Sequence, residues 1–207
     1  MNTIDAITTR RSVRQFNEKP VADAEIEKIV AAAAFAPSWK NTQTARYIAV
    51  TDTAAKEKIA AEMLIPHNAA IVRSAPVMIA MVTKCGRCGY ERDGSFTTKK
   101  EDRWQYFDAG IACQTFCLAA HELGLSTVIL GIYDEDKLPA FLGLQDDEVL
   151  TALIAMGYAD DNPAAPKRSF SMTTFRTVVS RVANNLFSAK TSDLANRFIK
   201  VLLPTLV

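Results

Sequence analysis

The stretch from Trp104 to Leu123 constrains this chain more than any other, because it reads as one long helix that is apolar or small on most of its faces. A helix that is apolar nearly all round has to be covered nearly all round. A single small domain supplies that cover with difficulty. The segment is therefore expected to pack inward through residues such as Phe107, Gly110, Ile111, Cys117 and Leu118, and to be the first place where a second subunit docks.

Around this helix the pattern alternates. Thr3 to Thr9 reads as a short helix, and after Pro20 the acidic first turn with apolar Ile26, Ile29, Val30 and Ala33 predicts an amphipathic helix stopped by Pro37. The loop Ser38 to Thr44 leads to a strand, Arg46 to Val50, and a helix from about Thr53 to Met63. Pro76 to Val82 reads as a largely buried strand. Residues 84 to 103 are charged, aperiodic and glycine-containing, a loop whose length alone suggests function. Gly124 ends the long helix; Leu125 to Gly131 predicts a strand, Asp134 to Leu142 a short helix and Leu150 to Tyr158 the last strand. Helices interleaved with four or five strands indicate an α+β fold of three α-β-α layers around a small central sheet.

Beyond Arg168, Phe175, Val178, Val179, Val182, Leu186, Leu194, Phe198 and Val201 recur at helical spacing. The expected organisation is a domain over 1–170 followed by a C-terminal helical extension, 171–207, packed on the same or the partner subunit. A membrane-surface helix, with Arg176, Arg181, Arg197 and Lys200 on its polar side, is the alternative.

Composition narrows the classes. At 207 residues with 49% hydrophobic and 23% charged residues, the chain is of ordinary globular type, and a net charge of +1 argues against a general nucleic-acid binder. The first residues, Met1 to Asp5, do not read as a signal peptide, and no apolar run reaches the roughly 20 residues of a membrane span. A cytoplasmic protein is expected, with its four cysteines as reduced thiols.

Arg10, Arg11, Ser12 and Arg14 place three guanidinium groups and a hydroxyl within five residues. Arginine forks match phosphate oxygens, so a phosphate site is the natural reading; a solvated basic face is the plain alternative. Cys85-Gly86-Arg87-Cys88 has the spacing of half a zinc or iron–sulfur site, but no second C-x-x-C follows. Cys113 and Cys117, at i and i+4 on the long helix, read as small core residues. His67 and His121 sit at no metal-ligand spacing, so no metal is expected.

Read in order, Arg10-Arg11-Ser12-Val13-Arg14-Gln15-Phe16, Ala36-Pro37-Ser38-Trp39-Lys40-Asn41-Thr42-Gln43, Phe107-Asp108-Ala109-Gly110 and Gly124-Leu125-Ser126-Thr127 leading to Gly131-Ile132-Tyr133-Asp134-Glu135 resemble the nitroreductase-like FMN-dependent oxidoreductases. The likeness spans about residues 3 to 170. It implies a mostly antiparallel sheet and a homodimer with FMN at its interface. By match, Arg10, Arg11 and Ser12 would hold the phosphate and Arg14 the pyrimidine edge. Pro37, Ser38 and Asn41 would come from the other subunit, Trp39 would shape the substrate pocket beside the cofactor or else be a half-buried interface residue, and Asn68 would contact the pyrimidine ring. Ile129, Leu130 and Gly131 would lie along the flavin, with Gly131 donating its backbone N–H near N5, and Lys167 with Arg168 would complete the phosphate cluster. Where some relatives have a basic residue after the asparagine, this chain has Ala70 and Ile71, which leaves more to Arg14. No side chain is expected as a catalytic acid or base. The implied reaction passes electrons from NADH or NADPH through FMN to a nitroaromatic, quinone or similar small acceptor by a ping-pong mechanism. The alternatives are other flavin chemistry, such as dehalogenation or enoate reduction, and a non-catalytic flavin- or metal-binding module.

Overall fold

The computed structural model describes residues 1–168. Met1–Ala165 forms one unit and Pro166–Val207 belongs to a second, so the helices expected beyond Phe175, and with them the 170/171 boundary, lie outside the described residues. Local chemistry accounts for the helix starts. In α1 (Thr3–Thr9) the Asn2 side chain accepts from the Asp5 N–H, and in α2 (Asp23–Ala33) the Glu25 carboxylate accepts from the Ala22 N–H. Strand β1 (Ala45–Val50) is followed by α3 (Thr53–Glu62), which Asp52 caps by accepting from the Ala55 N–H at 2.7 Å. Pro66 opens α4 (Pro66–Ser74), where its missing N–H costs nothing. Then come β2 (Val77–Lys84), the long α5 (Trp104–Glu122), β3 (Ser126–Leu130), α6 (Lys137–Leu142) and β4 (Glu148–Gly157).

The strands form one sheet in the order β1-β2-β4-β3, every pairing antiparallel. Alternation along β2 sorts the core into two halves. Met78, Ala80 and Val82 pack with Ile59, Ile71 and Val72 of α3 and α4, whereas Val77, Ile79 and Met81 pack with Ile29 of α2 and Ala109, Cys113, Phe116 and Cys117 of α5. A strand covered on both faces reads as a continuous apolar run, which is why Pro76 to Val82 looked buried. Cys113 and Cys117 are core residues, as expected. Past β3 the sheet gains a short parallel bridge from Ser12 to Thr127, and the Val13 N–H donates to the Thr127 carbonyl at 3.1 Å.

Three features differ from the expectations or add to them. Helix α4 was not anticipated, because its inward face includes Asn68 and its apolar positions are few. Phe107 and Gly110 point away from the protomer's own core: Phe107 is 60% exposed, and a Cβ on Gly110 would meet nothing within 4 Å. Cys117 does face inward. Lastly, residues 84–103 are tied down. Tyr90 bridges Phe96, the Trp104 Nε1–H donates to Thr98 Oγ1 at 2.8 Å, and Gly89 passes so close to Glu101 that a Cβ would lie 2.2 Å from its carbonyl oxygen. Among the described residues no helix is long and apolar enough to cross a membrane.

Candidate functional site

The basic segment hangs between two anchors. Val13 and Phe16 are buried, which turns Arg14 and Gln15 outward along the edge beside β3. Upstream, α1 is fastened to the C-terminal end of α5: the terminal ammonium donates to Glu122 Oε1 at 2.8 Å, and Thr9 Oγ1 lies 2.9 Å from His121 Nε2. Arg11 spends Nη1 on the carbonyls of Thr8 and Arg10, closing the end of α1. Arg14 Nη1 donates to the Ser12 carbonyl at 3.2 Å. Arg10 is half-buried, and its Nε is buried without a hydrogen-bond partner among the described residues. A buried donor left open calls for an acceptor.

Other parts of Arg10 line open space. A cleft of about 250 Å³ is lined by Arg10, Arg11, His121, Thr127, Asp160 and Asp161 among others. Its cations face two carboxylates, of which Asp160 accepts from Asn17 Nδ2 at 2.8 Å. Burial, and after it the Arg10 guanidinium, holds the His121 imidazole below its ordinary pKa. Arg10 and Arg11 bring to its wall the guanidinium chemistry that suits a phosphate-sized anion, while Asp160 and Asp161 oppose one.

The second cluster lies at the other end of α5. Ser38 Oγ accepts from the Gln43 N–H at 2.9 Å, and between them Lys40, Asn41 and Gln43 adopt φ of 45°, 56° and 49°, left-handed conformations that are costly outside glycine. The Trp39 N–H donates to Asp108 Oδ2 at 2.8 Å, and the Cys88 thiol donates to the same oxygen at 3.0 Å. Trp39 stacks on Trp104 with centroids 4.5 Å apart, and Trp104 meets Phe107 edge-on at 5.7 Å. Pro37 and Asn41 are exposed. Asp108, Cys88 and Trp104 were missed as site residues; a carboxylate set one turn inside an apolar helix was the available signal.

The predicted residues thus fall into two groups. Arg10, Arg11, Ser12 and Arg14 sit where α1 meets the C-terminal end of α5, and Pro37, Ser38, Trp39 and Asn41 at its N-terminal end. From Asp108 to His121, at about 1.5 Å per residue, is roughly 20 Å. Asn68 is 5% exposed and its Nδ2 donates to the Ile132 carbonyl at 2.8 Å, which pins α4 to the end of β3. Ile129 and Gly131 are exposed beside it, whereas the Leu130 side chain, 5% exposed, belongs to the core, so Leu130 has only its backbone to offer a ligand. Lys167 and Arg168 belong to the second unit.

A four-stranded antiparallel sheet with helices on both faces and a basic strand at its edge makes this a three-layer α+β protein. More narrowly, the chain belongs to the nitroreductase family, whose model matches residues 7–66 and 65–158. A Methanothermobacter thermautotrophicus protein provisionally named NADH dehydrogenase/NAD(P)H nitroreductase is 31% identical over 167 residues, 79% of this chain and 80% of the relative. The NADPH-flavin oxidoreductase of Vibrio harveyi is 26% identical over 175 residues, 81% of this chain and 70% of that protein. Among solved structures, a provisionally named nitroreductase from Desulfovibrio desulfuricans, in complex with FMN, has a TM-score of 0.69 at 28% identity and covers 87% of this chain and 99% of its own.

Proposed function

We propose that this chain is an FMN-dependent NAD(P)H oxidoreductase of the cytoplasm. It works as a homodimer and passes electrons from NADH or NADPH to a nitroaromatic, quinone or similar small acceptor by a ping-pong mechanism. Family membership supports the activity, as do relatives named for NAD(P)H, flavin or FMN. The observation that supports it in this chain is the basic segment itself: Arg10 lines the cleft with an Nε that has no partner among the described residues, and Ser12 bridges Thr127 on the strand that leads to the exposed Ile129 and Ile132.

The separation of the two groups supports dimerisation. Among the described residues, the face of α5 left uncovered runs through Phe107, Gly110, Ile111, Gln114 and Leu118, each exposed or half-buried. Two such faces packed antiparallel about a two-fold axis bring Pro37, Ser38 and Asn41 of the partner subunit to the Arg10 end of this one, closing the roughly 20 Å gap.

FMN, when bound, supplies the two-electron chemistry between nicotinamide and acceptor. The protein's part is to hold and bias it. Arg10 and Ser12 would hold its phosphate, with Arg11 beside them. Arg14, exposed on the same segment, would offset negative charge that builds on the flavin when it is reduced. Asn68 fixes Ile132 and with it the backbone from which the Gly131 N–H would donate to the flavin. The partner's turn, with Trp39, would exclude water from the flavin. The test is a visible spectrum of the isolated protein, repeated after anaerobic addition of NADH and then NADPH. A bound flavin bleached by at least one of them is expected. Bound FMN that neither nicotinamide bleaches would overturn the reductase reading.

A further inference from the structure

We propose that Asp108 is a positioning residue of the flavin site, whose buried carboxylate holds the Pro37–Asn41 turn and the 84–103 loop in the shape that the partner subunit's flavin meets. The inference rests on the dimeric flavin site argued above. Asp108 is 5% exposed although it sits on a helix of 19 residues whose other inward side chains are mostly apolar. A carboxylate buried in that setting is retained only where donors compensate it. The two donors arrive from separate segments and converge on one oxygen: the Trp39 N–H at 2.8 Å and the Cys88 thiol at 3.0 Å. One atom of α5 therefore joins the turn that carries Ser38 and Trp39 to the loop that carries Cys88.

Each strand of that junction needs holding. Left-handed Lys40, Asn41 and Gln43 persist only where the surroundings over-determine them, and the bonds to Asp108 and Ser38 Oγ are such constraints. Cys88 is fully buried, and burial, followed by Asp108 itself, pushes its thiol up to about 12, so it stays a protonated donor over the working pH range. The loop is fixed a second time where Lys40 Nζ meets Glu91 Oε1 at 2.7 Å. Removing the carboxylate frees the turn while leaving the sheet, the Arg10 cleft and the α5 stripe as they are.

The test uses the full-length chain stripped of flavin and titrated with FMN, following flavin fluorescence. Asp108→Ala is expected to raise the FMN dissociation constant by about tenfold, the scale of one lost charged hydrogen bond. Asp108→Asn, which keeps an acceptor oxygen, is expected to return it to near the wild-type value. In a Trp104→Phe background Trp39 is the remaining tryptophan of the two, and its emission is expected to be quenched by bound FMN while Asp108 is in place and far less once Asp108→Ala has removed the carboxylate. Should the alanine variant not fold, Asp108→Ser, whose hydroxyl is too short to reach the Trp39 N–H, carries the same expectation. Wild-type affinity and quenching in the substituted proteins, with only the melting temperature lowered, would overturn the inference alone. A wild-type chain that binds no FMN sinks the flavin reading and this inference with it.

Discussion

At Lys56 an ammonium group is 8% exposed and donates to the carbonyls of Ala75 and Pro76 at 2.7 and 2.9 Å, closing the C-terminal end of α4. Burial lowers its pKa, with Asp52 opposing. Lys56→Met keeps the stem but strands both carbonyls, so a loss of about 1–3 kcal/mol is expected in urea unfolding, with the FMN affinity of the folded protein unchanged. The arginines divide by place in a similar way. Arg10, half-buried with an unpartnered Nε, lines the cleft, whereas Arg14 is exposed along the strand edge. Arg10→Ala is therefore expected mainly to weaken FMN retention and Arg14→Ala mainly to slow reduction by NAD(P)H in stopped-flow traces; equal effects on both would undo the division. Three arginines in five residues signal in the sequence that an anion site is near. They do not show which of them spends its fork on a helix end, as Arg11 does, because that depends on where α1 stops.

Elements were legible where their burial is one-sided or continuous. Ile26, Ile29 and Ala33 gave α2 by spacing, and the run Val77 to Val82 gave β2 by its lack of polar positions. Helix α4 escaped because Asn68 is buried for a hydrogen bond, and a buried asparagine breaks the apolar period that marks a helix. Close approaches were equally silent. Gly157 ends β4 where a Cβ would lie 2.5 Å from Pro76 Cδ and 3.2 Å from Phe16 Cδ1, so Gly157→Ala is expected to cost about 1–3 kcal/mol by overpacking, read as a lower thermal midpoint. The junction of α1 with α5 carries a pH response. His121, facing Thr9, Arg10, Arg11 and Glu122, is held below its ordinary value of 6.5. The unfolded chain binds that proton first as pH falls, so the stability His121 contributes is full above 6.5 and declines as pH drops from there towards the lower folded value. Urea midpoints measured from about pH 7.5 to about pH 5 should fall less steeply for His121→Gln than for the wild type. Identical slopes would show that His121 contributes nothing to the acid limb.

For the whole molecule, the apolar pattern of α5 announced that more cover was needed than one domain provides, but period alone could not say which face goes to the chain's own sheet. The structure assigns Ala109, Ala112, Cys113, Phe116 and Cys117 to the sheet and leaves Phe107 and Gly110 outside. That division makes the dimer testable at one position. Gly110 is helical with open space where a Cβ would stand, so within a protomer an arginine there is tolerated and gains helix propensity of up to about 1 kcal/mol. Across a close helix pair the same side chain brings charge and bulk onto the contact. Gly110→Arg is therefore expected to shift the protein from dimer to monomer in light scattering, to keep its far-ultraviolet circular dichroism, and to lose FMN, because Pro37, Ser38 and Asn41 of the partner subunit leave with it. The wild-type melting temperature should rise with protein concentration and that of Gly110→Arg should not, since only the dimer links folding to association. A Gly110→Arg protein that remains a flavin-bound dimer would move the interface away from α5, and the roughly 20 Å between the two halves of the site would then need another way to close.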